Sequence, residues 1–305
     1  MVNIILSNYF FLKMIKYRKI FIISILFFLG SFLFYLWSFS KIKKLDITKV
    51  INYSNINFAG ENVSFEDKYY FNKEKFEKEL SITRYNLYQF VLYHKREPIY
   101  LPIIEKKLKE AWIPDDFKYL AIAESSLKND ALSDSNAWWI WQFIPETGKR
   151  YWLIINENID ERYNFEKETD AAILFFKKLY EDFNNRTLVA AAYNRGENWL
   201  RRALDDQNVN SYYDLYINEE TWRYVFRILA IKYLMQNRYE IFNKEDLWEQ
   251  FTPPKTKEIE IRDIASFKKY AQDNWYNYAS LKQLNPWIIW DVIPAGVWKI
   301  KVFDY

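Results

Sequence analysis

Apolar residues return every third and fourth position through the middle of the chain, and that rhythm predicts helices. Residues 101–110 form a short amphipathic segment. Pro114 stands where a helix can begin. Asp115 and Asp116 follow it, where carboxylates meet the positive end of the helix dipole. The helix predicted over 115–125 carries Phe117, Leu120 and Ala121 on one stripe, and the next position of that stripe is Glu124. Thr169 suits the N-cap of a helix whose apolar stripe runs through Ala172, Phe175, Phe176, Leu179, Tyr180 and Phe183. Thr187 opens another helix, which stops at Gly196. Residues 219–235 predict one more, with Tyr224, Ile228, Ile231 and Met235 on one side.

The rhythm changes at Thr252, Pro253, Pro254 and Lys255, a linker by composition. Beyond it Ile259 and Ile261 alternate with polar residues, two short helical patterns end near Gln272 and Leu284, and residues 297–303 alternate again. Strand, helix, helix, strand within about 50 residues predicts a compact α+β module. At the other end, residues 20–39 carry no charge. That length suits a helix crossing a hydrocarbon core of about 30 Å. A cleaved signal peptide is the rival, but its apolar core is shorter and ends in small residues, whereas this run ends in Leu36, Trp37, Ser38 and Phe39. The expectation is an uncleaved transmembrane anchor behind a basic cytoplasmic segment, residues 1–19. Lys13, Lys16, Arg18 and Lys19 before the run, against Lys41, Lys43 and Lys44 after it, place the remainder outside. Residues 40–84 have no clear period and read as a spacer.

Composition narrows the chemistry. With 43 basic and 40 acidic residues the net charge is only +3, which does not suggest a nucleic-acid binder. The chain has no cysteine and a single histidine, His94. Disulfides, thiolate metal sites and cysteine nucleophiles are excluded, and a Ser-His-Asp triad is disfavoured. Chemistry therefore rests on carboxylates, hydroxyls, amides, Lys or Arg, with no cofactor and no metal expected. Periodicity leaves Glu124 two readings. Either it is a buried carboxyl whose pKa rises toward that of a working general acid, or it sits at the end of the stripe and reaches solvent.

The residues around it carry a resemblance. Residues 113–126, IPDDFKYLAIAESS, resemble the catalytic-glutamate motif of lytic transglycosylases of the SLT, goose-lysozyme-like superfamily. Ile140 to Pro145 with Thr147 and Gly148 resemble the second motif, in its membrane-bound D-type form. Residues 192–197, AYNRGE, resemble the third, and Glu220, Thr221, Tyr224 and Val225 the fourth. Residues 281–286 and 293–296 resemble a LysM glycan-binding module. The resemblance implies a mainly α protein: a lysozyme-like helical catalytic domain over 85–250 and a βααβ LysM-like module over 255–305. It implies cleavage of the β-1,4 bond between N-acetylmuramic acid and N-acetylglucosamine in peptidoglycan, leaving a 1,6-anhydro end.

In that reading Glu124 is the single acid and base, and peptidoglycan glycan strands are the partner. Ser125 bonds near the leaving sugar or the glutamate, and Gln142 and Asn194 offer amides to the acetamido group and sugar hydroxyls. Tyr193 floors a subsite, Tyr224 tunes Glu124, and Glu220 binds substrate. Plainer roles stand beside these: a polar core clamp for Gln142, core packing for Tyr193 and Trp141, a helix C-terminal cap for Asn194, a first-turn dipole partner for Glu220. Two other functions are carried. One is a hydrolysing muramidase, with Asp130 or Asp134 positioning water. The other is an inactive wall-binding scaffold.

One composition figure stands out. The chain has 5 Gly and 13 Trp, where average usage gives roughly 21 Gly. Trp112, Trp139, Trp152, Trp199, Trp275 and Trp290 stand where the resemblance expects glycine. Genuine tryptophans at glycine positions are destabilising and favour the scaffold. A codon that means glycine to the source explains the deficit and the surplus together.

Overall fold

The computed structural model describes residues 28–33, 51–66, 69–128 and 139–304. It divides into two units, Met1–Ile51 and Asn52–Tyr305. In the first, residues 28–33 are helical, with Phe28, Leu29, Phe32 and Leu33 exposed. The rest of the uncharged run 20–39 lies outside the described residues. Among the described residues no helix is long and apolar enough to cross a membrane.

The second unit is mainly helical. A minimal hairpin of β1 (Asn57–Phe58) and β2 (Glu61–Asn62) precedes α1 (Tyr70–Tyr85) and α2 (Leu87–Glu110). The hairpin and nearly all of α1 fall in the stretch expected to be a spacer, yet they belong to the body. Phe58, Val63, Phe76 and Leu80 are buried, and α1 packs along α8 (Glu219–Gln236). Burying one such side chain stabilises by about 1.5–3 kcal/mol. The period is hard to read because the charged Glu79 is itself buried, held by Arg223 at 2.5 Å and Arg227 at 3.7 Å.

After a 3-10 turn at Asp115–Phe117 comes α3 (Lys118–Ser125), so the helix expected from Asp115 starts one turn later. Beyond residues 139–144 lie α4 (Pro145–Arg150), α5 (Phe165–Phe183), α6 (Arg186–Arg195) and α7 (Glu197–Gln207). The start of α5 corrects one expected cap, and α6 starts one residue before the expected Thr187. Asn164, not Thr169, caps α5 by accepting from the Lys167 N–H, and Asn185 caps α6 by accepting from the Leu188 N–H. Asparagine caps as well as threonine does, and here it lies upstream. Thr169, inside the helix, donates its hydroxyl to Phe165 O at 2.6 Å. Thr187 donates to Glu61.

The buried helix α6 is the hub, contacting α5, α7 and α8. Its Ala190, Ala191 and Ala192 are fully buried, and such small side chains let neighbouring helices approach closely. After the short α9 (Arg238–Ile241) comes the C-terminal module. There β3 (Thr256–Arg262) pairs antiparallel with β4 (Val297–Phe303), in register from Thr256↔Phe303 to Arg262↔Val297. Between them lie α10 (Phe267–Asp273) and α11 (Tyr278–Leu284). This is the strand, helix, helix, strand order read from the sequence. The module docks on the body: Asp160 donates to Trp287 O, Ile289 donates to Asn158 O, and Ile159 enters the module's own apolar core.

Of the six tryptophans expected at glycine positions, four adopt glycine's left-handed backbone: Trp112, Trp139, Trp152 and Trp275, with φ of 62°, 72°, 72° and 61°. Trp199, inside α7, and Trp290 do not.

Candidate active site

The helix α3 is short and ends on two consecutive left-handed residues, Ser126 and Leu127. That sharp stop leaves Glu124 at its C-terminal edge, opening on a cleft of about 620 Å³. Tyr224, from the middle of α8, donates its hydroxyl to Glu124 Oε1 at 2.5 Å. Burial pushes the Glu124 carboxyl up to about 7, against the opposing pull of the Tyr224 hydrogen bond and the Arg227 charge. Burial and the neighbouring Glu124 hold the Tyr224 phenol well above its ordinary range. It therefore stays a hydrogen-bond donor throughout the working range of pH.

Gln142, Tyr193, Asn194 and Glu220 line the same cleft as Glu124. Gln142 reaches it through a left-handed backbone, φ 56°, and its Nε2 donates to Trp139 O at 2.6 Å. The residue before it is locked at three points. Trp141 donates its backbone N–H to Glu168 Oε1 at 2.9 Å and its indole N–H to Thr169 Oγ1 at 3.1 Å. Its carbonyl accepts from the Tyr193 hydroxyl at 2.7 Å. Trp141 is fully buried, so it is core rather than sugar platform. Tyr193 is both wall and core, since it packs against Phe175 and Phe176 while facing the cleft. Asn194 is exposed to the cleft and does not cap its helix. The C-cap is Gly196, at φ 95°. Glu220 is exposed in the first turn of α8.

Ser125 departs from its expected place. It is buried, and its hydroxyl donates to Ala121 O one turn back at 3.2 Å. One residue beyond Glu124 on the helix, it points about 100° around the axis, into the core rather than the cleft. Asp130 and Asp134 lie outside the described residues. Among the described residues no group of His, Cys, Asp and Glu is arranged to hold a metal ion.

Arg150 and Arg202 line the cleft opening with no role read for them in the sequence, beside Arg195 of the third motif, and Arg150 pairs with Glu197 at 3.3 Å. Glu168 is fully buried, and burial raises its pKa well above the carboxylate range. It lies directly before Thr169 in α5, and only the fold brings it under the 140–141 backbone.

Residues 102–215 match the family model described as Transglycosylase SLT domain. Over 148 residues the chain is 32% identical to membrane-bound lytic murein transglycosylase D of Escherichia coli K12, covering 47% of this chain and 32% of that relative. The same figures hold for the protein of that name from Escherichia coli O6:H1. The chain thus spans about a third of the length of the curated relatives it matches. Among solved structures, an inactive mutant of lytic transglycosylase Slt from Pseudomonas aeruginosa overlays with TM-score 0.38 at 19% identity. That overlay covers 50% of this chain and 26% of the other. The 70 kDa soluble lytic transglycosylase of Escherichia coli overlays with TM-score 0.36 at 19% identity, covering 49% and 26%. Glu124, Gln142, Tyr193 and Asn194 all fall within residues 102–215, the stretch that matches the Transglycosylase SLT domain model.

Proposed function

We propose that this protein is a peptidoglycan lytic transglycosylase, a lyase that cuts the β-1,4 bond between N-acetylmuramic acid and N-acetylglucosamine. The observation that carries the reading is Glu124: one carboxyl, raised by burial to about 7 and gripped by Tyr224, facing a polar cleft. Near neutrality such a group exists in both protonation states, as an acid that must later act as a base requires. Protonated Glu124 donates to the glycosidic oxygen as the bond to C1 breaks. The substrate's own acetamido group stabilises the positive charge at C1. The carboxylate so formed takes the proton of the C6 hydroxyl, whose oxygen closes on C1 to give the 1,6-anhydro ring. Protons and bonds balance without water, metal or cofactor. Gln142 and Asn194 orient the acetamido group and hydroxyls through their amides.

A hydrolytic outcome has one observation in its favour, the further carboxylates of Glu197 and Glu220 on the same cleft, since hydrolases commonly pair two. Digestion of purified peptidoglycan separates the two by product mass. Anhydro ends are expected; reducing ends mean a muramidase. Wall binding without products means a scaffold. Glu124→Gln is expected to abolish release and keep wall binding, and a variant that still cuts would remove Glu124 as the acid.

The surrounding assignments follow the same reading. Residues 20–39 anchor the chain in the cytoplasmic membrane, and the cleft works on the cell-wall side. Residues 255–305 hold glycan as a LysM-type module. The uncharged length of 20–39 supports the first, and the βααβ order supports the last.

A further inference from the structure

Tryptophan occupies two incompatible kinds of position in this protein. At Trp141, Trp287 and Trp298 the indole is used. Trp141 is fully buried and bonded to Thr169, Trp287 is buried and stacked on Trp298, and Trp298 donates its Nε1 to Pro294 O. At Trp112, Trp152 and Trp275 it is not: these residues are 94%, 82% and 95% exposed. Their backbones, by contrast, are tightly specified. Each follows the C-cap of a helix, in the left-handed conformation, inside the same double hydrogen bond. Trp112 N–H donates to Lys109 O and Ile113 N–H to Leu108 O. Trp152 donates to Lys149 O and Leu153 to Gly148 O. Trp275 donates to Gln272 O and Tyr276 to Ala271 O. That is the Schellman motif three times over, and its left-handed C′ residue is usually glycine because a Cβ is costly there.

The fourth position, Trp139, is also left-handed, and its carbonyl receives the Gln142 side chain at the cleft. Its indole is buried, but among the described residues Nε1 has no hydrogen-bond partner. Among the described residues tryptophan supplies four of the left-handed non-glycine residues, against three for Asn and Asp, the types that tolerate that region best. A chain with 5 Gly and 13 Trp has thus placed its largest side chain where the backbone asks for none.

We propose that positions 112, 139, 152 and 275 are glycine in the protein the cell makes, inserted at a UGA codon that its ribosomes decode as glycine. Trp141, Trp287 and Trp298 are then true tryptophans with UGG codons. At position 139 the glycine belongs to the working site, because it lets the 139–142 turn present Gln142 to the cleft. The inference rests on backbone geometry and composition, so it stands whether or not the protein cuts peptidoglycan.

The test is peptide mass spectrometry of the protein purified from its own cells. Peptides across 112, 139, 152 and 275 are expected to be lighter by the difference between Trp and Gly, with full tryptophan mass at 141, 287 and 298. Tryptophan found at 112, 152 and 275 overturns the proposal. A second measurement uses the full chain produced in a standard-code host, with and without W112G, W152G and W275G together. The triple variant is expected to melt higher by on the order of ten degrees, and an equal or lower Tm counts against it.

Discussion

At the scale of single residues, the balance around Glu124 bears on both the proposed reaction and the stability of the fold. In that proposed reaction its carboxyl starts protonated, so turnover is expected to fall as pH rises through about 7. The Tyr224 hydrogen bond lowers that value. In Tyr224→Phe the alkaline limb is therefore expected to move to higher pH, while the maximum rate drops because the carboxyl loses its holder. A pH–rate profile of anhydro-product release checks both. The same burial has a cost in stability. A carboxyl whose folded pKa lies above its unfolded value stabilises the fold only while protonated, and that contribution disappears as pH climbs from about 4.5 to about 7. Glu124→Gln is accordingly expected to raise Tm at pH 8, by about 1–3 kcal/mol of stability, and to leave it nearly unchanged at pH 4. Equal shifts at both pH values would show that Glu124 is not strained when ionised.

At the scale of elements, the cleft depends on pieces remote from it in sequence. Glu168 on α5 holds the Trp141 N–H, and with it the turn that presents Gln142. Glu168→Gln keeps an uncharged acceptor and is expected to retain product release. Glu168→Ala leaves a buried N–H unpaired and is expected to lose about 1–3 kcal/mol together with activity, as thermal melts and product assays would show. From α1, Glu79 steadies Arg223 and Arg227, the latter near enough to act on Glu124. Glu79→Ala is expected to cost about 2 kcal/mol and to raise the Glu124 pKa by loosening Arg227. The sequence rhythm located α3, α6 and α8, because one face of each meets the core at period 3.6. It misjudged α1, whose buried face includes Asn72 and Glu79, since a partnered polar residue looks exposed to any hydrophobic pattern. Ser125 was misplaced for the opposite reason: adjacency to Glu124 in sequence put it on a different face of the helix.

At the scale of the molecule, the C-terminal module is attached by more than its linker. Backbone bonds join 158–160 to 287–289, Ile159 sits in the module's core, and Lys301 pairs with Glu166 at 2.6 Å. A chain ending after residue 250 uncovers Ile159 and loses these bonds. It is expected to melt lower and sediment less with purified cell walls, while still forming anhydro ends. A truncated chain that binds walls as well as the full one would remove the module from glycan recognition.

Sequence alone determined the helical body and the βααβ order at the C-terminus, and it singled out Glu124 as the candidate acid. These are local properties, written in periodicity and in short motifs. The resemblance also marked six tryptophans at expected glycine positions, four of which have a left-handed backbone. Tertiary structure decided what needs partners from elsewhere in the chain: that Tyr224 reaches Glu124 across 100 residues, that a supposed spacer completes the core, that Ser125 faces inward, and that Glu168 lies buried beneath the cleft. Desolvation and hydrogen bonding are set by everything packed around a group, so the pKa that makes Glu124 usable exists only once the fold has closed around it.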